Sequence, residues 1–207
     1  MKIAARDFAL PVLAMAAVVA LSNFAVQYPI RQFGLADFLT WGALTYPVAF
    51  LVTDLTNRRF GAVLTRRVVY WGFALAVVMS VWIASPRIAF ASGSAFLFGQ
   101  LLDIFVFSRL RRQAWWRAPL AGSLLGSALD TALFFSLAFA GDPAMSDPVA
   151  YGALTVPLWT GLAFFDFCVK VVMALVLLIP YGALMSKVRA FETVRVSSPE
   201  GRGRVAR

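Results

Sequence analysis

The stretch Phe165-Asp166-Phe167-Cys168-Val169-Lys170 places an acid and an amine inside an apolar run that extends over residues 158–184. A run of this length is enough for a helix that crosses a bilayer, which needs about 20 apolar residues. Asp166 and Lys170 are four positions apart, so on a helix they lie on one face, one turn from each other. A charge at membrane depth costs about 2.5–3.5 kcal/mol. The pair therefore marks either a ligand site inside a helix bundle or a mutually neutralising structural pair.

The composition places the chain among helical membrane proteins. Of the 207 residues, 61% are hydrophobic, the mean hydropathy is +0.79, and only 14% are charged, against about 25% in soluble domains. The apolar runs are longer and more continuous than the alternating segments of about ten residues that build a β-barrel. We therefore predict an all-α membrane protein. Its net charge of +9 favours loops that face anionic lipid over direct binding of nucleic acid.

Several kinds of chemistry are excluded by composition. Histidine is absent, and Cys168 is the single cysteine, which excludes histidine-based triads, histidine metal sites and intramolecular disulfides. The phosphate-binding pattern G-x-x-x-x-G-K-[ST] does not occur, so the chain does not bind ATP in that way. We expect no catalytic residues, no metal and no cofactor.

Six apolar spans can be drawn, at residues 8–26, 38–56, 68–83, 88–107, 119–140 and 158–184. The first follows Lys2 and Arg6, but it is long and ends without a small-x-small cleavage site, so we interpret it as a retained helix rather than a signal peptide. Residues 1–186 then form one six-helix transmembrane domain. The basic stretch 187–207 has little apolar periodicity and is predicted to be a disordered cytoplasmic tail.

The basic residues determine the predicted topology. Sixteen of the 19 lysines and arginines lie in the two terminal segments and in the loops after the second and fourth spans. The opposite side holds only Arg31 and Arg87, and Lys170 lies within a span. Cytoplasmic segments of membrane proteins carry an excess of Lys and Arg. Both ends of the chain are therefore predicted to be cytoplasmic.

Four carboxylates from four different spans lie within the apolar segments or at their ends, namely Asp54, Asp103, Asp130 and Asp166. Asp130 and Lys170 fall near the middle of their spans, and Asp166 lies about 6 Å farther outward at 1.5 Å per residue. We interpret Asp130 and Asp166 as functional residues. Asp54 and Asp103 lie in the cytoplasmic thirds of their spans.

Asp54 and Asp103 have a second interpretation. Asp54 is followed by Arg58 and Asp103 by Arg109, so each acid can either serve a site or pair with an interfacial arginine and lock a helix end. Gln100 lies three residues before Asp103 and adds a donor and an acceptor to the same helix face.

Small residues lead to Asp130 along the fifth span, namely Gly122, Ser123, Gly126 and Ser127. Because small residues at this spacing let helices approach closely, we interpret them as a packing seam. Asn23, near the outer end of the first span, either lines an outer vestibule or hydrogen-bonds a neighbouring side chain.

A site with more acids than lysines suits a ligand that is rich in N–H groups or positively charged. A guanine-like base presents a ring N–H and an exocyclic amine side by side, and one carboxylate can accept from both. Aromatic residues, 14% of the chain, can stack on a planar ring. The candidate substrate-binding residues are Asp130, Asp166, Lys170, Gln100, Asp103, Asp54 and Asn23.

Four separated blocks resemble the queuosine-precursor transporter family, also called the vitamin uptake transporter family. Residues 53–61 (TDLTNRRFG) resemble its T-D-L-x-x-x-x-F-G signature, and residues 99–107 (GQLLDIFVF) resemble its G-Q-x-x-D-h-x-h-F block. The third block comprises Trp115-Trp116, Gly126, Asp130 and Phe134-Phe135. The last comprises Asp166-Phe167-Cys168-Val169-Lys170 with Pro180 and Tyr181 after it.

The resemblance implies a multi-pass protein of the bacterial inner membrane, related in fold to the substrate-binding subunits of energy-coupling-factor vitamin transporters. It implies 7-cyano-7-deazaguanine and 7-aminomethyl-7-deazaguanine as substrates, salvaged for queuosine in tRNA. The expected partners are this small molecule and membrane lipid. The sequence leaves open whether the protein forms homo-oligomers.

Other classes of function remain as alternatives. The chain can take up another vitamin-like solute, with or without an energy-coupling partner. It can be an intramembrane enzyme that uses two aspartates of the fifth and sixth spans. It can also be a structural or assembly subunit, although the number of charges within its spans disfavours this.

The topology can be tested with a reporter fused after Arg207. Because most basic residues lie on the side of the two ends, we expect a cytoplasmic signal from the fusion. A signal from the opposite side of the membrane would overturn the predicted orientation.

Overall fold

The computed structural model describes residues 5–32, 36, 38–151 and 154–188. Within them the chain forms seven α-helices: α1 (Ala5–Ala25), α2 (Trp41–Thr45), α3 (Val48–Phe60), α4 (Ala62–Ile83), α5 (Pro86–Leu110), α6 (Arg117–Phe139) and α7 (Leu158–Met185). A short 3-10 helix (Pro143–Met145) and two strands, β1 (Pro148–Tyr151) and β2 (Leu154–Pro157), lie between α6 and α7. The predicted helical class is confirmed, with this one hairpin added.

In the described part of the chain, five helices are long and apolar enough to cross a membrane. They are α1 from Phe8 onward, α4, α5, α6 and α7. These five helices correspond to all of the predicted spans except the second. The count of six membrane-spanning helices stays a prediction, and so does the orientation of the chain.

The second predicted span, residues 38–56, is divided between α2 and α3. Tyr46 and Pro47 lie between these two helices. Proline has no backbone N–H, and its ring clashes with the carbonyl four residues earlier, so a continuous helix breaks there. The break leaves Tyr46 between two helices, at a position where the sequence predicts one continuous helix.

The turn between α3 and α4 is a single residue, Gly61. Its φ of 78° lies in the region that favours glycine. The Gly61 N–H donates to the Asn57 carbonyl at 2.9 Å, and the Gly61 carbonyl accepts from the Thr65 hydroxyl at 2.8 Å. The basic residues that follow the second span therefore lie on two helix ends rather than in a loop, at Arg58, Arg59, Arg66 and Arg67.

The segment between α6 and α7 contains regular structure. β1 pairs antiparallel with β2, with Val149 opposite Val156, and β-branched residues favour such pairing. The Leu158 N–H then donates to the Asp147 carbonyl at 3.0 Å. The hairpin thereby fixes the point at which α7 begins.

The main apolar cluster lies between α1, α4 and α5. Its buried members include Met15 and Val19 from α1, Val68 and Val69 from α4, and Phe96 from α5. The outward faces of the helices are apolar as well. On α7, Lys170 is buried whereas Val172, Leu175 and Ile179 are exposed. A soluble protein rarely buries a lysine and exposes a row of aliphatic side chains, so lipid is the solvent that fits this surface.

α5 and α6 approach each other closely where glycines face backbone. A Cβ atom on Gly126 would lie 2.8 Å from the Gly99 carbonyl oxygen, and one on Gly99 would lie 3.0 Å from the Gly126 carbonyl oxygen. The close approach predicted for the small residues of the fifth span is confirmed. It brings Asp130 against α5, because a Cβ atom on Gly99 would also lie 3.0 Å from the Asp130 Cβ.

The predicted disordered tail, residues 187–207, is described only at Lys187 and Val188, and the rest of it lies outside the described residues.

Replacing Gly126 by alanine should weaken the bundle. The new methyl group would meet the Gly99 carbonyl oxygen and, at 2.7 Å, the Phe50 ring, and such overpacking costs about 1–3 kcal/mol. We expect a lower apparent melting temperature for Gly126→Ala in detergent. Gly93→Ala is the matched control, since a Cβ there meets only the Phe73 and Val77 side chains, at 3.2 Å and beyond. Equal melting temperatures for the two variants would contradict the proposed backbone contact.

Candidate functional site

A buried cluster of charges joins α6 to α7. The Lys170 ammonium lies 2.7 Å from Asp130 Oδ2 and 2.5 Å from Asp166 Oδ2. It also donates to the Thr131 hydroxyl at 2.9 Å, and that hydroxyl donates to Asp166 Oδ2 at 2.8 Å. We call these four residues the Lys170 cluster. Its three acceptors match the three N–H donors of the ammonium.

The helical register explains how the cluster forms. Asp166 and Lys170 share one face of α7 at the i and i+4 positions, as the sequence predicts. Asp130 and Thr131 are consecutive on α6, and the glycine contact with α5 holds α6 close to that helix. Lys170 is only 5% exposed. With all three charged groups ionised, two carboxylates face one ammonium, so the cluster carries one negative charge in excess.

Tyr46 adds an aromatic wall to the cluster. Its hydroxyl donates to Asp130 Oδ1 at 3.3 Å, and its ring centroid lies 5.8 Å from the Lys170 ammonium, within cation–π range. The ring also meets Phe96 edge-on, with centroids 6.0 Å apart. Sequence reasoning missed Tyr46 and Thr131. The available signals were a Tyr-Pro pair within an apolar span and a hydroxyl directly after Asp130.

A second polar group lies between α3, α5 and α6. We call it the Asp103 group, and it comprises Thr53, Asp54, Gln100, Asp103 and Ser123. The Thr53 hydroxyl donates to Gln100 Oε1, and Ser123 lies beside Asp54. Gln100 and Asp103 are both 0% exposed. Among the described residues, neither carboxylate oxygen of Asp103 has a hydrogen-bond partner, and Gln100 Nε2 and Asp54 Oδ1 have none either.

The arginines that could pair with Asp54 and Asp103 do not do so in the structure. Within the described residues, each ion pair closer than 4.0 Å involves Lys170. Arg109 instead stacks over the Phe105 ring at 5.2 Å, and Arg58 lies near Tyr181. The two acids are therefore buried without a cation of their own.

The C-terminal ends of α3 and α5 are tied together beside this group. Asn57 Nδ2 donates to the Ile104 carbonyl at 3.2 Å, and Arg111 Nη2 donates to the Asn57 carbonyl at 2.6 Å. Partial burial lowers the pKa of Arg111 from its ordinary value, and the neighbouring Arg58 and Arg112 lower it further. Arginine nevertheless stays charged at neutral pH because its ordinary pKa is above 12.

The structure divides the predicted site residues into three places. Asp130, Asp166 and Lys170 come together in the Lys170 cluster, and Asp54, Gln100 and Asp103 come together in the Asp103 group. Asn23 joins neither group: its amide donates to the Val19 carbonyl at 2.9 Å, and its carbonyl oxygen accepts from Ser80 at 3.4 Å. Asn23 therefore contributes to the packing of α1 against α4.

Apolar helices with a charged interior define a multi-pass membrane protein of the transporter kind. Comparisons with known proteins agree. The family described as "Putative vitamin uptake transporter" matches residues 40–185. The chain is 37% identical over 191 residues to the queuosine precursor transporter of Escherichia coli K12, with 82% of each chain covered. It is 35% identical over 203 residues to the probable queuosine precursor transporter of Haemophilus influenzae, again with 82% of each covered.

A more distant relative is the probable queuosine precursor transporter of Bacillus subtilis, at 26% identity over 148 residues, which cover 58% of this chain and 64% of the relative. No solved structure matches the chain. The chain belongs to the queuosine precursor transporter family, which is also called the vitamin uptake transporter family.

Removing the cation of the Lys170 cluster should destabilise the fold more than removing all three of its charges. Lys170→Met leaves two buried acids without their cation, and breaking a buried ion pair costs about 3–5 kcal/mol. We expect a clear fall in melting temperature, whereas Lys187→Met, at an exposed lysine, should have none. The triple variant Asp130→Asn/Asp166→Asn/Lys170→Met removes all three charges and should recover most of the loss. A Lys170→Met protein as stable as Lys187→Met would show that the cluster does not hold the bundle.

Proposed function

We propose that the protein imports queuosine precursors across the bacterial inner membrane, with 7-cyano-7-deazaguanine and 7-aminomethyl-7-deazaguanine as its substrates. The observation that carries the proposal is the Lys170 cluster, a buried charged site with excess negative charge in a chain of this family. A transport substrate of this kind needs a polar site within the membrane, where unpaired polar groups are costly.

The chemistry of the cluster suits a guanine-like base. A carboxylate can accept both the ring N–H and the exocyclic amine of such a base, and an ammonium can donate to its carbonyl. Asp166 is the better candidate for exchanging its partner on binding, because its side chain is 16% exposed whereas that of Asp130 is 5% exposed. The excess negative charge favours the cationic aminomethyl group of the second precursor.

Aromatic residues beside the cluster can bind the flat face of the base. Tyr46 and Phe96 meet edge-on next to Asp130. A planar heterocycle that lies against Tyr46 would have its polar edge near the carboxylates. The break at Pro47 thus contributes to substrate binding because it places Tyr46 beside Asp130.

The arrangement of Asp130 and Asp166 disfavours the enzyme alternative. Both carboxylates bind the same ammonium, whereas two aspartates that work as an acid–base pair share a proton between them. We infer a transport protein rather than an enzyme. The description of the family favours one second candidate, the uptake of another vitamin-like solute.

Queuosine in tRNA provides the direct readout of uptake. Cells that cannot make the precursors would express this protein and receive 7-cyano-7-deazaguanine at low concentration. We expect modified tRNA only in the expressing cells. Unmodified tRNA, with the protein present in the membrane and a different vitamin taken up, would overturn the proposed substrate. It would favour the second candidate, the uptake of another vitamin-like solute.

The same cells test the carboxylates. Asp130→Asn and Asp166→Asn each remove a charged acceptor, and a hydrogen bond to a charged group contributes about 1.5–3 kcal/mol. We expect initial uptake to fall about 10- to 100-fold in each variant. Asp147→Asn, at an exposed loop aspartate, is the matched control and should transport like the unmodified protein. Full uptake by both cluster variants would remove the carboxylates from the substrate site.

A further inference from the structure

The Asp103 group is not part of the substrate site proposed above, and it contains a buried acid without a hydrogen-bond partner among the described residues. Asp103 is 0% exposed, and both its carboxylate oxygens lack a hydrogen-bond donor. Gly122 gives it room: a Cβ atom there would overlap Asp103 Oδ1. The side chain is thus pressed against the backbone of α6 with no counter-ion.

A second acid lies next to it. Asp54 is 2% exposed and faces Asp103 from α3. The other groups around Asp54 are the Ser123 hydroxyl on α6, Tyr181 on α7, and Arg58, which lies near Tyr181. None of the described cations forms an ion pair with either acid. Two ionised carboxylates at this position would repel each other in an apolar medium that stabilises neither.

We propose that Asp54 and Asp103 form a proton-binding site, with the proton on Asp103, and that this site couples substrate uptake to proton entry. A proton on Asp103 removes one of the two buried charges and gives the carboxyl an O–H donor. Asp54 keeps its charge beside the Ser123 hydroxyl. The coupling half of this proposal rests on the proposed transport function; the proton site does not.

The surroundings favour a proton over a metal cation. A metal cation needs several ligands around it, and the described residues contain no group of three or more His, Cys, Asp or Glu side chains that could hold one. The cavity at this site adjoins Asp54 rather than Asp103, between Leu51, Ser123 and Tyr181, and its volume of about 10 Å³ is about the room that one water molecule requires. One water there would lie within reach of the Asp54 carboxylate and the Ser123 hydroxyl.

Infrared spectroscopy of the purified protein tests the proton site without any substrate. A protonated carboxylic acid has a C=O stretching band that an ionised carboxylate lacks. We expect this band at neutral pH in the unmodified protein and in the control Asp147→Asn, and its loss in Asp103→Asn. If Asp103→Asn does not accumulate, Asp54→Asn serves instead, and it should shift the band without abolishing it. A spectrum without the band, or one that neither variant changes, overturns the proton site.

Reconstituted vesicles test the coupling. With labelled 7-cyano-7-deazaguanine and no membrane potential, an inward gradient of one pH unit should support up to about tenfold accumulation at one proton per substrate. Asp103→Asn, which mimics the protonated acid, should retain exchange across the membrane but lose the response to the gradient. Accumulation that needs only a sodium gradient, or that ignores the pH gradient, overturns the coupling.

The two measurements separate the proposals. A carboxylic-acid band in a protein that moves no deazaguanine supports the proton site and rejects the proposed substrate. Precursor uptake by a protein without the band rejects the proton site and leaves the proposed function intact.

Discussion

The ammonium of Lys170 is the group on which the interior of this protein depends. It forms ion pairs with carboxylates from two helices in a medium where an unpaired charge is expensive, and its three donors all have acceptors. Because the acids outnumber the amine, the cluster also retains the capacity to accept N–H groups from a ligand. The same arrangement therefore joins α6 to α7 and, in the proposed function, binds a planar, donor-rich solute.

The rest of the bundle positions this cluster. Backbone contact between Gly99 and Gly126 brings α6 close to α5 and places Asp130 at the interface. The break at Pro47 brings Tyr46 to Asp130, where a continuous helix would have presented a different face. The Asp103 group lies along the same α5–α6 contact, but it lacks a cation. The protein thus holds two buried acidic groups of different character, one paired with a lysine and one without a cation, which we propose binds a proton.

Sequence reasoning predicted the helical class, five of the apolar helices and the shared face of Asp166 and Lys170, because each follows from local periodicity and spacing. It also placed Asp130 at the depth of Lys170, and the structure joins the two residues at 2.7 Å. It separated Asp130 and Asp166 from Asp54 and Asp103 by depth, but it did not predict the contacts within each group, since contacts between distant helices depend on their packing. Tyr46 was missed because the span around it was drawn as one helix, and Asn23 was included although its partners lie on α1 and α4.

Equilibrium binding of labelled 7-cyano-7-deazaguanine to the purified protein tests whether the Lys170 cluster is the substrate site. We expect saturable binding that neither biotin nor a pterin displaces, and that is lost in the folded triple variant Asp130→Asn/Asp166→Asn/Lys170→Met. Binding of the precursor by that triple variant with unchanged affinity would contradict it.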